Sequence, residues 1–173
     1  QHPITTQVEL VEKQIDNTLD AIIKLKKRTI MISPNSDAGS DIILNKLKKY
    51  SQELDYLNFY NSLPRCDFLG LLKHCGVLVG NSSSGIAEAS YFSIPVVNIG
   101  IRQFGRERGT NVIDVKEFKS EEIEKSIRKG LKKRNGHKLV KNGIYGNGNA
   151  SKQIMKILQK PLTNNLIQKH ISY

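Results

Sequence analysis

Residues 77–88 read Val77-Leu78-Val79-Gly80-Asn81-Ser82-Ser83-Ser84-Gly85-Ile86-Ala87-Glu88. Val77–Val79 is an apolar, partly β-branched run of strand type. Gly80–Gly85 is a tight polar turn, and Ser84–Phe92 reads as a short helix. Three consecutive hydroxyls at a strand-to-helix junction offer hydrogen-bond donors beside the unpaired N–H groups of a helix start. The glycines let backbone approach an anion without a Cβ in the way. Glu88 lies one helical turn beyond Ser84, and a carboxylate beside a phosphate cradle suits vicinal ribose hydroxyls. The same residues also fit a serine N-cap flanked by helix-breaking glycines. This stretch alone leaves both readings open.

Outward from this turn, helical and strand patterns alternate. Helices are expected over Val8–Leu25, Asp41–Tyr50, Asp67–His74, Ser120–Lys133 and Ser151–Gln159. Strands are expected over Thr29–Ser33, Tyr56–Tyr60, Pro95–Ile99 and Val112–Val115. Strands alternating with helices predict an α/β fold: a three-layer, Rossmann-like, doubly wound parallel sheet. Ligands in such sheets bind beyond the carboxyl ends of the strands, at the point where the winding reverses. The loops 34–39, 61–64, 80–85 and 100–109 each follow a strand and belong at that edge. The 173 residues fit a single domain, with a possible tail helix over 161–173 and the loosest stretch at 136–148.

No apolar run approaches the roughly 20 residues of a membrane span, and the first residues lack the order of a secretory leader. Gln1 in first place suggests a processed product or a piece of a longer chain. Cys66 and Cys75 lack metal-ligand spacing with the histidines and read as reduced core thiols of a cytoplasmic protein. No metal site is expected. The net charge of +11 invites a nucleic-acid reading. Its densest run, Lys125 to Arg134, surrounds one amphipathic helix and has no interleaved aromatic for base stacking. Those lysines read as a solvated face, and neither nucleic acid nor membrane is expected as a partner.

Among the other loops, Gly100–Gly109 holds Arg102, Arg106 and Arg108 among three glycines, a set suited to phosphate or carboxylate. Alternatively it is a solvated loop in which Glu107 pairs with a neighbouring arginine. His2 precedes the first helix and suits phosphate donation or proton transfer, while Thr5 or Thr6 reads as an N-cap. Asn35 and Asp37 lie in an Asx-rich turn. Asn149 or Ser151 is expected to cap the last helix. No Ser/His/Asp set or carboxylate pair stands out.

Taken together, His-Pro-Ile-Thr-Thr (2–6), Pro-Asn-Ser-Asp-Ala-Gly (34–39), Gly-Asn-Ser-Ser-Ser-Gly-Ile-Ala-Glu (80–88), Pro-Val-Val-Asn-Ile-Gly-Ile-Arg-Gln-Phe-Gly-Arg-Glu (95–107) and Tyr-Gly-Asn-Gly-Asn-Ala (145–150) form a recognisable set. The chain resembles the hydrolysing UDP-N-acetylglucosamine 2-epimerases of sialic-acid and related nonulosonic-acid synthesis, from Gln1 to about residue 160. The resemblance implies the C-terminal lobe of a two-lobe, glycosyltransferase-B-type enzyme, the N-terminal lobe being absent. It implies that Ser82, Ser83 and Gly85 hold the UDP diphosphate and that Glu88 holds the ribose. Asn35 and Arg102 would line the nucleotide site, and His2 would lie at the catalytic cleft. The uracil would lie near the loop after Tyr56–Tyr60. No cofactor is implied beyond the UDP-sugar substrate and UDP product.

The implied reaction eliminates UDP and hydrates the resulting glycal, giving N-acetylmannosamine or a 2,4-diacetamido-trideoxy analogue. Its catalytic carboxylates would belong to the other lobe, and the full-length enzyme would be a homo-oligomer. Asn147 departs from the Asp of many relatives. The His-Pro-Ile-Thr-Thr start favours the hydrolysing branch over the non-hydrolysing one. A glycosyltransferase lobe would use the same cradle, and a basic nucleic-acid-binding module is the remote alternative.

Overall fold

A computed structural model describes residues 1–136 and 144–160. The tail helix expected over 161–173 lies outside the described residues, as do His137, His170 and much of the stretch expected to be loosest. Five parallel strands occur among the described residues: β1 Thr29–Ile32, β2 Leu57–Tyr60, β3 Leu78–Gly80, β4 Val96–Ile99 and β5 Val112–Val115. Thr29 registers with Leu57, Leu78 with Val96, and Val96 with Val112. The sheet expected to be continuous is divided into two hydrogen-bonded pieces, β1–β2 and β3–β4–β5. The short β3 ends at Gly80, whose φ of 139° takes the chain out of strand geometry and leaves little length for a ladder to β1.

Alternation along β4 divides the core, since successive side chains leave a strand on opposite faces. Val97 and Ile99 point to α1 (Val11–Leu25) and α5 (Ser120–Gly136), where they pack with Ala21, Ile123 and Ile127. Val96 points the other way and packs with Leu72, Ala89 and Ile94, on the side of α3 (Arg65–His74) and α4 (Glu88–Tyr91). The all-buried strand reads as a nearly continuous apolar run for this reason. α1 also spans the gap between the two sheet pieces. Its Val11, Ile15 and Leu19 pack with Met31, Leu57 and, from α2 (Ser40–Glu53), Ile43 and Leu47. Ile22 of α1 touches both clusters. Helices therefore cover both faces of β4, and the architecture is Rossmann-like. A last helix, α6, covers Ala150–Leu158.

Several local expectations change. The first helix begins at Val11, and Thr5–Leu10 is a 3-10 segment broken by Gln7 at φ −141°, so neither Thr5 nor Thr6 acts as an N-cap. The helix expected over Ser84–Phe92 is a single 3-10 turn, Ser83–Gly85, followed by the one-turn α4. Asn149 occupies the N-cap position of α6 without a side-chain capping bond. Cys66, expected in the core, is exposed at the start of α3, a helix that buries only Leu72. Cys75 is half-buried at the end of that helix, and burial pushes its thiol pKa up. On α5, Ile123 and Ile127 face inward while Lys125, Lys129 and Lys132 stay exposed, the solvated face expected of the basic run. Among the described residues, no helix is long and apolar enough to cross a membrane.

Candidate functional site

β1 and β3 are the inner borders of the two sheet pieces, because the loops that follow them meet at His2. The chain winds from β1 out to β2, then returns to β3 and continues to β5. The reversal falls between β1 and β3, the position at which open α/β sheets hold ligands. His2 sits there. Its ring Nδ1 accepts a hydrogen bond from the Asn35 N–H, just after β1, at 2.9 Å. Its own N–H donates to Asn81 Oδ1, just after β3, at 2.7 Å, and Asn81 Nδ2 donates to the His2 carbonyl at 2.9 Å.

The loop after β4 joins the same cluster. Arg102 Nη1 donates to the Asn81 carbonyl at 3.2 Å, and Gln103 Nε2 donates to it at 2.9 Å. Loops 33–39, 81–87 and 100–109 thus meet through His2 and Asn81. A cleft of about 320 Å³ opens beside them, lined by Pro3, Ile4, Thr5, Thr6, Asp37, Ile101 and Arg102. Asn35 donates its side-chain amide to Asp37 Oδ2, and its buried Oδ1 has no partner among the described residues, nor does Oε1 of Gln103.

With Nδ1 of His2 accepting, the neutral ring carries its proton on Nε2. Burial, with the nearby positive charge of Arg102 acting the same way, lowers its pKa from 6.5 to about 4. The Asn35 bond and Asp37 act in the opposite direction without prevailing. At neutral pH the His2 ring is therefore uncharged.

In the serine turn, Ser82 Oγ accepts from the Ser84 hydroxyl at 3.0 Å and from the Ser84 N–H at 3.4 Å. The Ser83 side chain is exposed. The broken helix gives this turn little macrodipole, so its donors are hydroxyls and local N–H groups. Gly85 is buried, and a Cβ there would stand 2.9 Å from Val96 Cγ1. Its small size lets the turn close on β4. Glu88 is partly buried and 3.8 Å from Nη1 of the exposed Arg65, which begins α3 after the β2 loop.

The three arginines of the β4 loop separate. Arg108 is committed to the fold, bonding Asp114 Oδ1 and, at 2.7 Å, the Gln103 carbonyl. Arg106 is exposed, and Arg102 borders the cleft. Among the described residues Glu107 forms no arginine pair, and its carbonyl accepts from the Tyr145 hydroxyl at 2.6 Å. Sequence reading did not single out Asn81 or Gln103, because an amide used on a distant backbone leaves no local pattern.

The fold and this cluster define the class: a Rossmann-like lobe with a polar, arginine-bordered site at its switch point. A protein-family model described as UDP-N-acetylglucosamine 2-epimerase matches residues 1–159, and the chain belongs to that family. It is 33% identical over 173 residues to the UDP-N,N'-diacetylbacillosamine 2-epimerase (hydrolyzing) of Legionella pneumophila, covering 99% of this chain and 45% of that protein. It is 41% identical over 116 residues to the polysialic acid biosynthesis protein P7 of Escherichia coli, covering 66% of this chain and 29% of that protein. It is 37% identical over 112 residues to the UDP-N-acetylglucosamine 2-epimerase of Neisseria meningitidis, covering 65% and 29%. The chain therefore spans less than half the length of these relatives.

Proposed function

We propose that this chain is the UDP-binding lobe of a hydrolysing UDP-sugar 2-epimerase. The observation that carries the reading is the meeting of His2, Asn35, the serine turn and Arg102 at one switch point, in a chain of this family. The substrate is UDP-N-acetylglucosamine or its 2,4-diacetamido-trideoxy analogue, in keeping with the two kinds of relative.

In the first step a base removes the proton from sugar C2, the C1–O bond breaks, and UDP departs with the bonding pair. Water then adds across the C1–C2 double bond, giving the free 2-epimeric sugar. What this lobe contributes is stabilisation of the charge gathering on the diphosphate. The Ser82 and Ser83 hydroxyls and the Arg102 guanidinium supply donors, and Gly85 keeps the turn closed on the sheet. His2 supplies a neutral Nε2–H, Asn35 borders the nucleotide, and Glu88 accepts from the ribose hydroxyls. The C2 base is a carboxylate of a second lobe. By the same family likeness, the complete enzyme is a cytoplasmic homo-oligomer needing no cofactor.

Calorimetry with UDP tests the reading on the parent chain, Ser83→Ala and Glu88→Ala. UDP binds the parent, and both variants bind at least several-fold more weakly. Equal binding by all three, or none by the parent, overturns the site assignment.

A further inference from the structure

Asn81 is fully buried, and three chain segments converge on it. Its side-chain oxygen and one of its side-chain N–H groups both engage the backbone of His2, at 2.7 and 2.9 Å. Such a two-way amide pair holds a main chain as a neighbouring strand would. Its carbonyl meanwhile accepts from Arg102 and Gln103. One residue thus sets the position of the His2 backbone and the reach of Arg102. The adjacent Gly80 makes the close approach feasible, because a Cβ there would lie 3.3 Å from the Gln1 nitrogen.

Holding the His2 backbone also aims its ring. With the main chain fixed, Nδ1 meets the Asn35 N–H and the ring proton remains on Nε2. We propose that Asn81 is the positioning residue of this site: without touching ligand, its side chain holds the His2 backbone so that His2 is presented as an Nε2–H donor, while its main-chain carbonyl receives Arg102. This inference rests on the nucleotide reading above. Loss of the Asn81 side chain would release the His2 backbone and with it the donor that His2 presents to the ligand, so its effect would exceed that of a buried amide serving the fold alone.

The test pairs UDP calorimetry with NMR of the chain carrying ¹⁵N-labelled histidine, the His2 ring assigned through its loss in His2→Gln. At neutral pH the parent should show protonated Nε2, bare Nδ1 and a coupling from the Asn35 amide across the hydrogen bond. Asn81→Ala should average the two ring nitrogens, as in a free imidazole, and weaken UDP binding at least tenfold well below its melting temperature. A merely structural Asn81 would lower the melting temperature while leaving the ring signals and UDP affinity within twofold of the parent, and that result overturns the proposal. If Asn81→Ala does not fold, the parent ring decides: averaged tautomers, or no coupling to Asn35, overturn it. A parent that shows the fixed ring but binds no UDP defeats the nucleotide reading, and the ring response to Asn81→Ala still decides whether Asn81 positions His2.

Discussion

The backbone N–H of Asn35 donates to Nδ1 of His2 at 2.9 Å, joining the loop after β1 to a residue 33 positions earlier. The bond fixes which ring nitrogen carries the proton, while burial keeps the ring neutral. Burial is the main cause of its lowered pKa, and the Arg102 guanidinium acts in the same direction.

A pH dependence follows. The folded ring titrates near 4 and the unfolded ring near 6.5. The unfolded state therefore binds the proton more readily. The His2 contribution to stability is present above about pH 6.5 and is lost as the pH falls towards 4. Urea midpoints measured from pH 7.5 down to 4.5 should drop more steeply for the parent than for His2→Gln. Parallel curves would show that the ring is not held neutral by the fold.

Ser82 and Ser83 should separate folding from binding. Ser83 is exposed, so Ser83→Ala should shift stability by less than about 0.5 kcal/mol. If its hydroxyl meets a diphosphate, UDP affinity should fall about tenfold, the scale of a hydrogen bond to a charged group. Ser82 bonds Ser84 twice within the turn. Ser82→Ala should therefore lower both affinity and stability, the latter by ~0.5–1 kcal/mol. Thermal melts and calorimetry on the two variants check the contrast.

Gly85 makes a packing prediction. In Gly85→Ala the new methyl would meet Val96 Cγ1 at 2.9 Å and Leu78 Cδ2 at 3.5 Å. Overpacking of this kind costs about 1–3 kcal/mol. In the Gly85→Ala background, Val96→Ala should cost less than it does in the parent, because it frees the space the methyl needs. Additive losses in urea unfolding would mean that the strain lies elsewhere.

Ser93 offers a stabilising change. It adopts φ 56° after α4, and its buried hydroxyl has no partner among the described residues. Ser93→Gly removes both an unfavourable backbone conformation and an unsatisfied polar group. The expected gain of about 1 kcal/mol corresponds to a melting temperature ~2–4 °C higher. An unchanged or lower melting temperature would contradict it.

The alternation of elements was legible because β4 is buried on both faces and is apolar but for Asn98, while α1 carries apolar residues at helical spacing. The break between the turn Ser83–Gly85 and α4 was not, since Ile86 and Ala87 favour helix as readily as their neighbours do. The candidate site divides in the same way. Asn35, Ser82, Ser83, Glu88 and Arg102 stand out by type and by their place after strands, and the motif set points to the family before any coordinate is known. Arg102, Arg106 and Arg108 are chemically equivalent in one dimension. Folding distinguishes them, because Asp114 and the Gln103 carbonyl lie within reach of Arg108 while Arg102 reaches the Asn81 carbonyl at the cleft. The tautomer of His2 and the central position of Asn81 are likewise products of folding. They depend on hydrogen bonds between residues 33 and 79 positions apart, and local composition carries no trace of such contacts.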